Sequence, residues 1–245
     1  MPTTWYSAKV IGITELARKV KSFTIEIADV PSFDFKAGQF ITLDLPIGDK
    51  RLQRWKSYSI ANAPDGSNRL ELCIVHYENG LGSSYFFNEV SIGTGLRFKG
   101  PEGGFVLPDA IDTDLVFICT GTGIAPFRSM LLDLVNKQIT GKKIHLIFGT
   151  RTMDDLLYYE ELVDFEKSIP GFKFDISLSR EENIVQDPHF HKGYVHPIYI
   201  KEYKDKRPDI QFFICGWSKM IDEAVENLFG ELNYDRKQIA YELYG

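Results

Sequence analysis

Gly121-Thr122-Gly123-Ile124-Ala125-Pro126 has the residue types and spacing to cradle a phosphate. It follows an apolar run at 115–119 and opens an amphipathic run at 127–135, so a strand, a glycine turn and a helix are expected. Glycines permit the tight turn, and the helix start offers unpaired N–H groups and a partial positive charge to a pyrophosphate. Pro126 stands where the usual dinucleotide fingerprint has its third glycine, but it suits a helix's first turn, where a missing N–H costs little. A second glycine turn, Gly80-Leu81-Gly82-Ser83-Ser84, also enters a short helix, and Ser83 is equally a candidate cap. Gly149-Thr150-Arg151 closes another apolar run; an acid there would select NAD, whereas a cation suits the extra phosphate of NADP. Cys215-Gly216 closes a third, placing a small polarizable side chain and bare backbone where a nicotinamide ring would fit, though packing alone also explains a buried cysteine. His189 and His191 with Asp187 lack a well-spaced third ligand, so no metal is expected.

The elements that hold these residues change character part-way along the chain. Apolar and polar residues alternate at 6–11, 23–27, 40–45 and 70–74, the period of half-buried antiparallel strands, with breaks at Pro31, Gly38, Pro46 and Pro64. Only 84–90 reads as helix there, and 100–105 reads as a turn. Beyond Pro108, apolar strands at 115–119, 144–148, 172–178 and 210–214 alternate with helices near 126–137, 154–167 and 218–229. This implies a parallel sheet covered on both faces, with its ligand crevice beyond the carboxyl ends of the strands. Gly121, Arg151, Arg180 and Cys215 all fall at such ends. Two domains are expected, 1–108 and 109–245.

Composition narrows the class. The chain has 245 residues, 44% of them hydrophobic and 25% charged, as in ordinary globular proteins. Its net charge of −6 is concentrated beyond residue 108, which gives no support to nucleic-acid binding. Residues 1–10 show no apolar block behind a basic leader and no run has membrane length, so a cytoplasmic protein without a membrane span is expected. Cys73, Cys119 and Cys215 are far apart, which indicates neither a disulfide scaffold nor a self-carried iron–sulfur cluster. Lys50, Arg51, Arg54 and Lys56 form a local basic cluster, and 201–207 reads as a solvated charged turn.

Taken in order, Lys56-Ser57-Tyr58-Ser59, the Gly80 turn, Gly100-Pro101-Glu102-Gly103-Gly104-Phe105, the Gly121 turn, Cys215-Gly216 and the terminal Tyr241-Glu242-Leu243-Tyr244 resemble the ferredoxin–NADP reductase family over the whole chain. The resemblance implies an N-terminal antiparallel β-barrel binding FAD, then a Rossmann-like parallel-sheet α/β domain binding NAD(P), with the two rings meeting between them. It implies that Tyr58 packs on the flavin, Ser59 lies near flavin N5 and Lys56 holds the pyrophosphate. The residue types agree: a flat apolar ring, a hydroxyl and a cation. The family usually has arginine at Lys56, and a lysine lacks the bidentate fork, which leaves Arg54 as an alternative contact. The backbone of the Gly80 turn, with Gly82 and Ser83 or Ser84, completes that site; Gly121, Thr122, Gly123 and Gly216 serve the nucleotide. Cys215 belongs beside the transferring carbon, Ser179 and Arg180 at the 2′-phosphate, Glu242 and Tyr244 as terminal acid and flavin-covering ring. Here Gly245 follows Tyr244. Glu181 and Glu182 beside Arg180 keep NAD open as an alternative to NADP.

The expected activity is hydride transfer between NADPH and flavin N5, with single electrons passed to ferredoxin or flavodoxin by a monomer. Two alternatives stand: an NADH-dependent reductase component of an oxygenase, and a flavin-binding electron-transfer subunit without independent turnover.

Overall fold

The computed structural model describes residues 4–138 and 141–244, which leaves the first three residues and Gly245 outside the description. Alternation in the first hundred residues produces β1 (Trp5–Ala17), β2 (Val20–Ile27), β3 (Phe40–Asp44), the single turn α1 (Arg51–Arg54), β4 (Trp55–Ser59), β5 (Arg69–Val75), α2 (Leu81–Asn88) and β6 (Gly95–Glu102). The strands form one antiparallel sheet in the order β4-β3-β6-β1-β2-β5. Its two ends meet, because Ile60 bridges Leu72 and the Ala61 N–H donates to the Glu71 carbonyl at 2.8 Å. The sheet thus closes as a barrel, filled by Phe23, Ile25, Ile41, Leu43, Leu72 and Phe98.

The remainder alternates strand and helix: β7 (Asp114–Thr120), a 3-10 turn (Gly121–Ile124), α3 (Ala125–Asn136), β8 (Ile144–Thr150), α4 (Tyr159–Ser168), β9 (Phe172–Leu178), β10 (Phe190–Lys192), α5 (His196–Glu202), β11 (Ile210–Gly216), α6 (Ser218–Glu226) and β12 (Ile239–Leu243). Six parallel strands lie in the order β10-β9-β8-β7-β11-β12. Both faces of the central strands are buried, which is why β7, β8 and β11 read as continuous apolar runs. The chain divides into two compact units, residues 1–106 with 125–133, and residues 107–124 with 134–245. Within the first, Arg128 of α3 donates to the Ala61 carbonyl at 2.9 Å and to Glu71 at 3.0 Å, and Ser129 donates to the Asn62 carbonyl at 2.6 Å.

Four local expectations are corrected. Residues 100–102 belong to β6 and not to a turn, because Phe40 pairs with Glu102 and Thr42 with Lys99. The helix expected over 154–167 is interrupted: a 3-10 turn (Met153–Asp155) comes first, and Tyr158 takes a left-handed φ of 57° before α4. The histidine loop at 189–191 contains β10, whose buried Phe190 docks it on β9. In the charged turn at 201–207, α5 extends to Glu202 and Arg207 pairs with Asp114 at 2.7 Å. The helix α5 itself went unpredicted, although Pro197 in its first turn is a start signal.

Candidate functional site

On the barrel, β4 pairs with β3 so that Lys56 faces Leu43 and Tyr58 faces Ile41. Two residues apart on a strand, Lys56 and Tyr58 share one face. The start of α2 comes up against that face at Gly82, where a Cβ would lie 3.0 Å from Lys56 Cγ and 3.0 Å from Tyr58 Oη. An alanine there would force both side chains to give by a few tenths of an ångström. Tyr58 meets Phe86 of α2 edge-on at 5.5 Å, and burial pushes its hydroxyl pKa up, so the phenol stays protonated. Lys56 has no side-chain partner among the described residues. Ser59 is buried at the end of the strand.

The Gly80 turn is held from within. Ser83 Oγ accepts the Tyr77 N–H at 3.0 Å and lies 3.1 Å from the Gly80 carbonyl, to which it donates. Gly80 is the N-cap of α2, without a side-chain cap. Ser83 therefore folds the turn onto its helix, while the half-buried Ser84 sits beside it. Arg54 is committed elsewhere: it donates to the buried Asp44 at 2.7 Å, and Arg97 donates to the same oxygen at 3.1 Å. Lys56, the Tyr58 ring, Ser84 and the first N–H groups of α2 are a donor set that fits a flavin dinucleotide.

In the second unit Gly121 opens the turn with φ of 53°, and nothing lies within 4 Å of where its Cβ would be. Gly123 is the opposite case, since a Cβ there would lie 2.5 Å from the Cys215 carbonyl oxygen and 2.6 Å from Gly216 Cα. The close approach at this glycine is to β11. Thr120, which motif reading missed, ties the same corner by accepting the Trp217 N–H on its Oγ1 at 3.1 Å. A polar residue ending an apolar run just before a glycine turn was its only signal. Thr122 is buried in the turn.

Cys215 has Cys119 and Glu242 as register partners on its two sides. Burial and the Glu242 carboxylate push its thiol pKa up, against smaller opposing effects of hydrogen bonds involving the Tyr244 side chain and the Gly216 backbone. The thiol stays protonated at neutral pH and is no nucleophile. The structure thus brings Gly216, Glu242 and Tyr244 around Cys215.

The ends of β8 and β9 are joined by backbone hydrogen bonds, Ser179 N–H to Thr150 carbonyl at 3.0 Å and Arg180 N–H to Arg151 carbonyl at 2.8 Å. Ser179 Oγ also donates to the Thr150 carbonyl at 3.3 Å. Arg151 and Arg180 are exposed, and neither guanidinium has a partner among the described residues. Glu181 accepts the Met153 N–H at 3.1 Å, so one of the two neighbouring acids is tied to the loop after β8. Two free cations beside an open glycine turn fit an anionic dinucleotide.

Residues 7–107 match the oxidoreductase FAD-binding domain family and residues 117–226 the oxidoreductase NAD-binding domain family. The chain is 33% identical to ferredoxin–NADP reductase B of Sorangium cellulosum over 246 residues, 98% of this chain and 97% of that protein. The chain belongs to the ferredoxin–NADP reductase family. It is also 28% identical over 231 residues to the phenol hydroxylase P5 protein of Acinetobacter pittii, of which it spans 63%. A ferredoxin NADP+ reductase from Neisseria gonorrhoeae, solved with FAD and NADP bound, superimposes with a TM-score of 0.80 at 24% identity, 99% of each chain covered. The Amycolatopsis cytochrome P450 reductase GcoB superimposes at 0.85 and 24% identity, over 99% of this chain and 70% of that one. The protein is an oxidoreductase that binds FAD and a nicotinamide dinucleotide, the barrel unit first and the parallel-sheet unit second. No helix among the described residues is long and apolar enough to cross a membrane.

Proposed function

We propose that this reductase takes a hydride from NADPH and delivers single electrons to a ferredoxin or flavodoxin, acting as a cytoplasmic monomer with FAD on residues 1–108 and NADP on 109–245. The observation that carries the choice of nucleotide is the backbone-linked pair Arg151 and Arg180, two exposed guanidiniums without partners among the described residues, at adjacent strand ends. A 2′-phosphate is the group such a pair recognises. Support for the acceptor class comes from the match to ferredoxin–NADP reductase B along nearly all of both chains.

When bound, FAD supplies hydride acceptance and one-electron release. The chain's residues bind and align. Lys56 and the N-terminus of α2 offset the FAD pyrophosphate, with Ser84 as hydroxyl donor and Gly82 and Ser83 shaping the turn. Tyr58 gives the flavin a flat apolar neighbour and Ser59 a hydroxyl. The turn Gly121-Thr122-Gly123 meets the nucleotide pyrophosphate, and Ser179 holds the Arg180 loop in place. Cys215, kept as a thiol, and Gly216 form the floor for the nicotinamide; Tyr244 is the ring that gives way to it. Glu242 holds a carboxylate beside Cys215, placed to take or return a proton.

A second reading, an NADH-dependent reductase component of an oxygenase, draws on the similarity to phenol hydroxylase P5 and on the exposed Glu182. Rapid mixing of the holoenzyme with NADPH or NADH under anaerobic conditions separates the two, followed by mixing with ferredoxin and flavodoxin. Faster flavin bleaching by NADPH and reoxidation by either carrier supports the first reading. Preference for NADH with no reoxidation by either carrier supports the second. No bleaching by either nucleotide would leave a flavin-binding subunit without turnover.

A further inference from the structure

Three strand ends converge on Thr120. It is the last residue of β7, where it pairs with Gly149 of β8, and its neighbour Cys119 pairs with Cys215 of β11. On the β8 side a Cβ at Gly149 would lie 3.0 Å from the Thr120 methyl carbon. On the β11 side a Cβ at Gly216 would lie 2.6 Å from Thr120 Oγ1, 2.8 Å from its carbonyl oxygen and 3.0 Å from its amide nitrogen. Two glycines thus let the neighbouring strands close in on one side chain, its methyl against β8 and its hydroxyl against β11. Gly216 also has φ of 133°, a backbone geometry that glycine adopts and other residues resist. The ladder between β7 and β11 stops at Cys119 and Cys215, and at Gly121, with its φ of 53°, the chain turns out of β7. Trp217, the N-cap of α6, follows Gly216 and donates its N–H to Thr120 Oγ1 at 3.1 Å. A side chain therefore closes the rung beyond the last backbone pair. Gly216 is bracketed by Cys215, whose carbonyl oxygen the bare Gly123 approaches, and by Trp217, which Thr120 holds.

We propose that Thr120 is a positioning residue for hydride transfer: through the Trp217 N–H its hydroxyl sets where the Cys215–Gly216 floor stands relative to the Gly121 turn. This rests on the placing of the nicotinamide over Cys215 and Gly216. The turn meets the pyrophosphate and the floor meets the ring. Thr120 is joined to the turn by the next peptide bond and to the floor by its hydroxyl, so the spacing between the two ends of the nicotinamide half passes through this one residue. Loss of the hydroxyl releases the end of β11. Arg151 and Arg180 are untouched, because the bonds that join their loops run between β8 and β9. The adenosine half of the dinucleotide is then held as before while the ring loses its alignment, and a misplacement of about 1 Å costs on the order of 100-fold in rate. Threonine is the side chain that serves both strands at once: valine keeps the methyl and the shape without the acceptor, and serine keeps the acceptor without the methyl.

The test compares Thr120→Val with Thr120→Ser. Each FAD-loaded variant is mixed anaerobically with saturating NADPH, with and without deuterium at the transferred position, and flavin bleaching is followed. Thr120→Val is expected to lower the limiting rate by about tenfold or more. Its deuterium isotope effect is at least as large as that of wild type, which locates the loss in the hydride step. It binds adenosine 2′,5′-bisphosphate, the adenosine half alone, as tightly as wild type does. Thr120→Ser returns the limiting rate to within about threefold of wild type. A wild-type limiting rate in Thr120→Val overturns the proposal, as do equal losses in the two variants, weakened binding of the bisphosphate, or a vanished isotope effect. Cys215→Ser in the same assay checks the placing of the nicotinamide separately. A wild-type limiting rate there removes that placing, whereas a slowed Cys215→Ser beside an unaffected Thr120→Val removes the role of Thr120 alone.

Discussion

Gly123→Ala isolates the approach of the nucleotide turn to β11. An added Cβ would lie 2.5 Å from the Cys215 carbonyl oxygen, 2.6 Å from Gly216 Cα and 2.7 Å from the Cys215 carbonyl carbon. All three are backbone atoms, so no rotamer change relieves the clash. Ordinary carbon contacts sit at about 3.5–4.0 Å, which means the turn must retreat by about 1 Å. Overpacking of this kind costs about 1–3 kcal/mol, and in a chain of this size each kcal/mol lowers Tm by about 2–4 °C. Melting should therefore fall by about 4–8 °C for a cost near the middle of that range. The same displacement moves the pyrophosphate-facing N–H groups, and about 1 Å of misplacement costs on the order of 100-fold in rate. Stopped-flow reduction of the flavin by NADPH reads this loss, while FAD content should be unchanged because the barrel is untouched. Gly121→Asn is the control: no atom lies within 4 Å of its Cβ, and asparagine tolerates the left-handed φ of 53°. It should melt within about 3 °C of wild type. A Gly123→Ala enzyme with wild-type Tm and wild-type NADPH kinetics would refute the reasoning.

Three further outcomes are expected. Arg180→Ala and Arg151→Ala should each lower kcat/KM for NADPH by about 10–100-fold, the worth of a charged hydrogen bond, and change NADH little; parallel losses for both nucleotides would remove the 2′-phosphate assignment. Gly82→Ala pushes a Cβ to 3.0 Å from Lys56 Cγ and from Tyr58 Oη, side-chain atoms that yield by a few tenths of an ångström. FAD affinity should fall by about tenfold with little change in apoprotein melting, and equal fluorescence-monitored FAD release from variant and wild type would count against it. His145 is buried, with Tyr203 at 2.7 Å on Nδ1 and Asp175 at 2.6 Å on Nε2. Burial is the leading cause that lowers its pKa, and it also keeps Tyr203 protonated as donor to Nδ1, so the neutral imidazole donates from Nε2 to Asp175. Below the unfolded value of about 6.5 the unfolded chain takes up a proton that the folded one refuses, so this site lowers stability as pH falls through that range. Hydrogen bonds from His145 and His191 lower the Asp175 pKa against the opposing effect of burial, and its contribution is lost only as pH falls from about 3.9 through the folded value. An NMR titration of the His145 ring with a midpoint at or above that of free histidine would contradict the assignment.

What periodicity exposed was the set of faces. Alternation in β1 and β2 and the largely apolar runs in β7, β8 and β11 follow from one buried face or two, a local property of each segment. The open turn at Gly121 and the cations at Arg151 and Arg180 were legible for the same reason, because strand ends carry them wherever the strands go. Long-range partners have no such trace. Nothing near Gly123 announces that Cys215, ninety-odd positions on, fills the space its missing Cβ leaves. Ser83 reads as a cap until Tyr77 and Gly80 are seen to occupy its hydroxyl, and Arg54 reads as a spare cation until Asp44 takes it. Glu181 reads as a repulsive charge beside Arg180 until Met153 is found to hold it. In each case a residue type correctly announced polar chemistry, and only the fold decided whether that chemistry was directed at the chain or left over for a ligand. Lys56, Arg151 and Arg180 are, of the cations at the candidate site, those whose charge no described side chain answers, two of them carried by backbone-linked loops. On the function proposed above, the phosphates of two dinucleotides are the counter-charges for all three.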